Sequence, residues 1–417
     1  MISRRRLLEG AGVGAVFAGS GLGSGLGSLW GLDPTAASAA SLDMPKGLPS
    51  GVRAEAVLEA LPGKKPLIKL TYRPPNYETP IADFRAAITP NDAFFVRYHL
   101  ADIPSVDART WRLTVGGEGA NGRVQLSLDD LRAMPATEVV AVCQCSGNRR
   151  GLFEPHVVGV EWGYGAMGCA RFKGVRLKDV LDKVGLKKEA IELVLDGADG
   201  PVLDKTPDFV KSVPVAKAVE DGLVAYEMNG QPLPHFNGFP ARIIVPGWTA
   251  TYWVKHITSI MATTKPFEGF WMKGAYRVPV GRFPLVARFT SQDTEANTPI
   301  TEMVVNSLIT SHDDGSDVKA GAPLTVGGVA WDGGYGIRAV EVSTDGGRTF
   351  TAAQLGEDLG RFAFRTFSFP VTAAARGKLA VTARAINKVG QTQTAELIQN
   401  PAGYHHNVMH TVTLNVA

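Results

Sequence analysis

The sequence predicts an α+β domain followed by an all-β sandwich. Three observations predict it. Glycine and proline are abundant, 47 and 26 of 417 residues, so the chain turns often and is richer in strands than in helices. Up to about residue 290, short amphipathic helices alternate with apolar runs. After about residue 295, only period-two alternation and turn signals remain. The length suits two or three domains, and 45% hydrophobic with 20% charged residues suits a folded globular chain.

The chain opens with Ser3-Arg4-Arg5-Arg6-Leu7-Leu8, then a Gly/Ala-rich apolar stretch from Ala11 to about Trp30, then the small residues Ala36 to Ser41. This is the order of an export signal, and the paired arginines resemble a twin-arginine signal over residues 1–41. Glycine and serine interrupt the apolar stretch, so no membrane span is expected in the mature chain. Twin-arginine export carries folded proteins, which points to a cofactor enzyme in the periplasm. Removing residues 1–41 lowers the net charge from +3 to about +2. No concentrated basic face is present, so no nucleic-acid partner is expected.

Residues 42–80, rich in proline, read as an extended arm on a domain that runs over 42–294. Ser127-Leu128-Asp129-Asp130 carries a capping box and opens a short helix. Leu177, Val180, Leu181 and Val184 define an apolar helix face that Gly185 closes. Strands are expected at Glu138 to Val142 and at Arg242 to Pro246. The second domain is placed at 295–417, with strands at Leu324–Val326, Val340–Val342, Leu379–Ala383 and Val408–Val416. Asp345-Gly346-Gly347 supplies a hairpin turn, and Trp331 reads as sandwich core.

The chemistry centres on Cys143-Gln144-Cys145-Ser146-Gly147-Asn148-Arg149-Arg150 at the end of a strand-like run. Neighbouring positive charge favours a thiolate, and a thiolate is a soft metal ligand. The chain's three cysteines supply no second pair for a closed zinc site and no Cys-x-x-Cys-His for haem attachment. Cys143 and Cys169 read as structural thiols. His405, His406 and His410 read as packing or surface residues rather than a metal cluster.

Cys145 to Arg150 resembles the molybdenum-ligating Cys-Ala-Gly-Asn-Arg-Arg motif of the sulfite oxidase family. Phe94-Phe95-Val96-Arg97-Tyr98-His99, Gly159-Val160-Glu161-Trp162, Tyr226 to Pro234, Asn237 to Arg242, and Val342 to Phe350 resemble further family segments in the same order. The likeness runs over roughly residues 65–417. It implies a sulfite-oxidase-type molybdopterin domain followed by an immunoglobulin-like sandwich of the dimerisation type. It also implies a molybdenum-molybdopterin cofactor with Cys145 as the protein ligand to the metal. The family positions that hold the pterin and its phosphate fall on Phe95, Val96, Arg97, Tyr98, His99, Asp199, Asn237, Arg242, Trp253, Val254 and Lys255. Those that act on substrate fall on Arg97, His99, Arg150, Trp162 and Tyr276. The chain departs from the pattern twice. Asn237 replaces a histidine, with the same capacity to hydrogen-bond a pterin edge. Tyr252 replaces an arginine of the animal enzymes, so charge near the cofactor is missing or supplied elsewhere.

In layout the chain is most similar to bacterial sulfite dehydrogenases that work with a separate c-type cytochrome. The resemblance therefore implies oxidation of sulfite to sulfate, with electrons passed singly to a cytochrome c acceptor or subunit, as a heterodimer. Two other readings compete. One is a molybdenum reductase acting on a sulfoxide or similar oxo-compound. The other is a binding or structural protein in which the motif residues only fold.

Overall fold

A computed structural model describes residues 41–43, 55–281 and 294–417; all of the export signal expected at 1–41 except Ser41 lies outside them. The segment read as an extended arm folds into a sheet of its own. Ser41–Asp43, Glu55–Glu59, Leu67–Thr71, Asn76–Glu78 and Val96–Arg97 pair in sequence order, all antiparallel. The reversal between the second and third of these strands passes through Gly63 at φ +72°, a conformation with no steric cost for glycine. The last strand pairs Arg97 with Asn76, which fixes the position of Arg97 and the residues after it.

Two sheets build the main core. In one, Glu192–Gly197 lies between Lys211–Pro214 and Ile257–Thr263, and the latter pairs with Leu113–Gly116. Leu195 faces Lys211, and Gly197 faces Ile257. Lys211, Asp199 and Lys255 therefore gather at one end of this sheet. In the other sheet, Ala136–Gln144 pairs along its whole length with Met167–Arg176, which continues to Leu223–Met228 and then Arg242–Ile244. Ala136–Gln144 alternates in exposure at its start and is wholly buried from Val140 onward. Burial on both faces explains the continuous apolar run before Cys145.

The helices are short, as the spacing predicts. Ser127 accepts from the Asp130 backbone N–H while the Asp130 carboxylate accepts from the Ser127 backbone N–H, so the capping box forms. In Leu177–Asp182, Leu177, Val180 and Leu181 are buried, each contributing about 1.5–3 kcal/mol, and Gly185 follows at φ +65°.

The C-terminal sandwich packs two sheets. One holds Asn306–Ile309, Pro323–Trp331, Arg365–Thr372 and Gln354–Leu355; the other is centred on Gly377–Asn387 between His410–Val416 and Ile337–Ser343. Val326, Val340, Val381 and Leu414 fill the space between them. Trp331 is buried in a different cluster from the one expected. It packs with Phe84, Val140 and Met167, and its indole N–H donates to Gln144 Oε1 at 2.6 Å. The indole thus braces the strand that leads to Cys145. Asn297–Pro299, at the start of the second domain as read from sequence, pairs with Arg277–Pro279. No helix among the described residues is long and apolar enough to cross a membrane.

Candidate active site

Cys145 leaves the strand Ala136–Gln144 and enters a tight loop. Its N–H donates to Ala166 O at 2.9 Å, Asn148 N–H returns to Cys145 O at 3.0 Å, and Asn148 Oδ1 accepts from Ala166 N–H at 3.0 Å. A Cβ on Gly147 would lie 2.7 Å from the Arg150 guanidinium, so glycine is what lets that cation fold back over the loop. The two arginines part company because Arg149 takes φ +69°. Arg149 donates to Asn306 Oδ1 at 2.6 Å and Ser307 O at 2.8 Å, both in the sandwich, and burial pulls its pKa down to about 10. Arg150 donates to Ala402 O at 2.9 Å and Val160 O at 3.3 Å and faces the Tyr404 ring at 5.1 Å. Arg149 thus turns to the sandwich, while Arg150 folds back over the loop at Gly147.

Cys145 opens onto a cleft. Of the residues singled out from sequence, Phe95, Arg97, Tyr98, His99, Asp199, Asn237, Arg242, Trp253, Val254, Lys255 and Tyr276 line it with Cys145. Val96, Arg150 and Trp162 do not. Val96 is packed with Leu67, Tyr77 and Tyr98, and Trp162 is fully buried in the main core with its indole N–H unpartnered. Arg150 sits behind the wall, close enough for its charge to act on Tyr276 and Tyr404.

The cleft is rich in positive charge. Arg242 donates to Asn237 O and Trp253 O, each at 3.0 Å, and approaches Cys143 Sγ at 3.9 Å. Its buried Nε–H has no protein partner. Lys255 donates to Arg97 O at 2.9 Å and Phe236 O at 3.2 Å, over the face of Tyr98. Burial, with the Arg242 charge next, holds the Lys255 ammonium well below the usual lysine range, and Asp199 opposes that shift. Burial also raises the Asp199 carboxyl, although Lys255 pulls it down. Cys143 also lines the cleft, where burial pushes its thiol up to about 11 despite Arg242. Cys169 is a buried thiol that accepts from Phe364 N–H at 3.4 Å.

His99 and Tyr276 meet by a hydrogen bond between Nε2 and the hydroxyl. The imidazole stacks on Phe209 at 3.6 Å between centroids, and burial followed by the charge of Arg97 keeps its pKa well below the free value, so it is neutral. Tyr276 holds φ +57° and stacks on Tyr404 at 5.7 Å and 7°. Tyr98 donates to His256 Nε2 at 2.7 Å, because His256 Nδ1–H is committed to Phe239 O at 2.6 Å. The Asn237 carboxamide is less free than its sequence suggests. Its Oδ1 accepts from buried Lys64 at 2.5 Å, and its Nδ2 donates to Phe95 O at 3.2 Å. Sequence reasoning missed Lys64, Phe209, Lys211, His256 and Tyr404, none of which sits in a local pattern that marks it.

A molybdenum-molybdopterin group fits this donor set. It brings a soft metal centre for the Cys145 sulfur and a phosphate for a cleft with three cations, Arg97, Arg242 and Lys255, against one lining carboxylate. The orphaned Arg242 Nε–H is a donor without an acceptor until an anion arrives. His405, His406 and His410 form no metal cluster, and no group of three or more metal-ligating side chains occurs among the described residues.

Comparison with known proteins agrees with this fit. Residues 99–271 match the family described as oxidoreductase molybdopterin binding domain, and residues 297–417 match the Mo-co oxidoreductase dimerisation domain. The chain is 34% identical to the mitochondrial sulfite oxidase of Homo sapiens over 374 residues, covering 85% of this chain and 67% of that one. It is 36% identical to the Rattus norvegicus enzyme over 308 residues, 71% of this chain and 55% of that one. It is 31% identical to the sulfite oxidase of Arabidopsis thaliana over 326 residues, 75% and 81% respectively. The chain thus spans between about half and two thirds of the length of these mammalian relatives. The sulfane dehydrogenase SoxCD from Paracoccus pantotrophus shares the fold, with a TM-score of 0.69 at 24% identity over 93% of this chain and 97% of that one. With its molybdopterin and dimerisation domains in this order and these relatives over most of its length, the chain belongs to the sulfite oxidase family.

Proposed function

We propose that the protein oxidises sulfite to sulfate and passes the two electrons singly to a c-type cytochrome, working in the periplasm after twin-arginine export. The reaction consumes sulfite and water and releases sulfate, two electrons and two protons. When bound, the molybdenum-molybdopterin group supplies two-electron oxidation with one-electron release. Cys145 would hold the metal, and Arg242 and Lys255 would hold the phosphate.

The observation that carries the reading is the wall formed by Arg97, His99 and Tyr276 in the cleft that Cys145 enters. Arg97 is steadied by hydrogen bonds to Asn76 Oδ1 and Tyr98 O and offers fixed positive charge to a small anion. Arg150, behind Tyr404, adds to the potential. Neutral His99 with its proton on Nε2 donates to the Tyr276 oxygen, which leaves the phenol proton free to hydrogen-bond the bound anion. The surrounding rings of Phe209, Trp271 and Tyr404 exclude water and strengthen these electrostatic contacts.

The test is steady-state turnover of the purified, molybdenum-loaded protein. Sulfite with cytochrome c should turn over; sulfite with NAD should not. Reduction of a sulfoxide with no sulfite oxidation would replace this reading with an oxo-transfer reductase. Co-purification from the native periplasm, followed by haem staining, tests the cytochrome partner and the heterodimer.

A further inference from the structure

Lys211 opens the strand Lys211–Pro214 and is fully buried. Its ammonium donates to Trp271 O at 2.6 Å and lies 4.7 Å from the centre of the Tyr252 ring and 5.3 Å from that of Tyr276. Among the described residues no carboxylate forms an ion pair with it, and the charge that acts on it is that of Arg277, another cation. A methionine would fill the same volume without the cost of burying an unpaired charge. The position therefore keeps a cation where stability alone does not call for one.

We propose that Lys211 is a positioning residue of the anion site, acting through Tyr276. The proposal rests on the reading of the cleft as a site for a sulfur oxoanion. Among the contacts that fix Tyr276, its hydroxyl meets His99, and its ring is stacked on Tyr404 and faces the Lys211 ammonium. A cation near an aromatic face is attracted by the ring and draws electron density from it, which makes the phenol a better hydrogen-bond donor. The same ammonium places positive charge behind the pocket at the level of Tyr252, whose hydroxyl is pinned to Ile300 O at 2.6 Å. This answers where charge enters that wall in a chain that carries a tyrosine at 252. Trp271, whose carbonyl holds Lys211, also packs on His99 at 5.0 Å, so one contact network joins the lysine to both partners of the Tyr276–His99 pair. Burial, with the charge of Arg277 next, lowers the ammonium's pKa to about 7, so the positive charge is fully present only below neutral pH, where the binding measurements belong.

The experiment uses molybdenum-loaded wild type, Lys211→Met and Lys211→Arg, with metal content measured for each. Sulfate binding is read by calorimetry, and KM and kcat for sulfite are read separately. Lys211→Met should raise both the sulfate Kd and the sulfite KM about tenfold, while kcat falls less than threefold. Lys211→Arg should restore both constants to within about threefold. A sulfate Kd in Lys211→Met within twofold of wild type would overturn the proposal, as would an arginine variant no better than methionine. Loss of folding or of molybdenum in both variants would make Lys211 a core residue and overturn it too. Wild type that neither binds sulfate nor oxidises sulfite would instead remove the functional reading, and this proposal with it.

Discussion

Arg149 and Arg150 are neighbours in sequence, yet replacing each with methionine should disturb different properties. Arg149 makes two short charge-assisted hydrogen bonds into the sandwich, with a longer one to Val408 O at 3.5 Å, and lies over the rings of Tyr164 and Trp331 at 5.0 and 5.7 Å. The two bonds contribute about 1.5–3 kcal/mol each. Against them stands the cost of burying the charge; a fall in pKa from 12.5 to about 10 corresponds to about 3 kcal/mol. Methionine removes both sides of this balance and strands Ser307 O, while Asn306 Oδ1 keeps a donor from Gln393 at 3.2 Å. The net loss is about 2 kcal/mol, or a fall of a few degrees in Tm. Arg150 instead binds two backbone carbonyls and projects its charge toward Tyr276, so Arg150→Met should raise the sulfite KM about tenfold or more with a smaller change in Tm. Differential scanning calorimetry and steady-state kinetics on both variants test the contrast. Equal Tm shifts, or a sulfite KM for Arg150→Met within twofold of wild type, would refute the division of labour.

Cys145→Ser should remove sulfite turnover and lower bound molybdenum while the fold persists, because a hydroxyl is a harder and far less acidic ligand; metal analysis and near-ultraviolet dichroism check it, and near-normal turnover would be the contrary result. Arg97→Gln should cost about 2–4 kcal/mol in kcat/KM, roughly 30- to 1000-fold, mostly through KM; an unchanged KM would place the anion elsewhere. Burial holds His256, His406 and His410 at a pKa of about 3 and His405 at about 4. Below the unfolded value near 6.5, the unfolded chain takes up protons that the folded chain refuses, so stability falls as pH drops from about 6.5 toward 3. Between pH 7 and 5 the loss should be on the order of 5 kcal/mol, visible as a falling Tm; a flat Tm over that range would contradict it. With a mature net charge of about +2, cytochrome c reduction should slow only moderately with salt, and a thousandfold collapse in stopped-flow rates would be the opposite outcome.

The chemistry was legible where it is local. The Cys145 loop follows a buried strand whose apolar run is visible in the sequence, and the capping box at Ser127 and the helix at Leu177 are complete within a few residues. What escaped depends on tertiary crossing. Tyr404 reaches the site from a loop with no periodic signal, beside the histidines that drew the eye instead. Lys211 at the start of a strand reads like any surface lysine, and only the fold buries it. The divergence of Arg149 from Arg150 turns on one backbone angle that composition does not encode. The Pro-rich arm looked extended because its strands are short, and Lys64 on that arm takes up the Asn237 oxygen that sequence reasoning had left for a pterin.

The buried cations share one construction. Arg242 is held by Asn237 O and Trp253 O, Lys255 by Arg97 O and Phe236 O, Arg150 by Ala402 O and Val160 O, and Lys211 by Trp271 O. Carboxylates appear instead in pairs away from the cleft, many of them exposed, such as Arg176–Asp179 and Lys178–Asp182. The difference has a physical consequence. A carboxylate would satisfy a guanidinium and also cancel its charge, whereas a carbonyl satisfies the N–H geometry and leaves most of the positive potential in place. Low-dielectric walls of Phe209, Trp253 and Tyr276 then preserve that potential inside the cleft. The cost is an excess of buried positive charge, opposed within the cleft by Asp199 alone among its lining residues, borne by the cofactor-free chain. Loading an anionic cofactor should relieve it, so the folded protein should gain stability on acquiring the group, beyond any gain from new apolar contact.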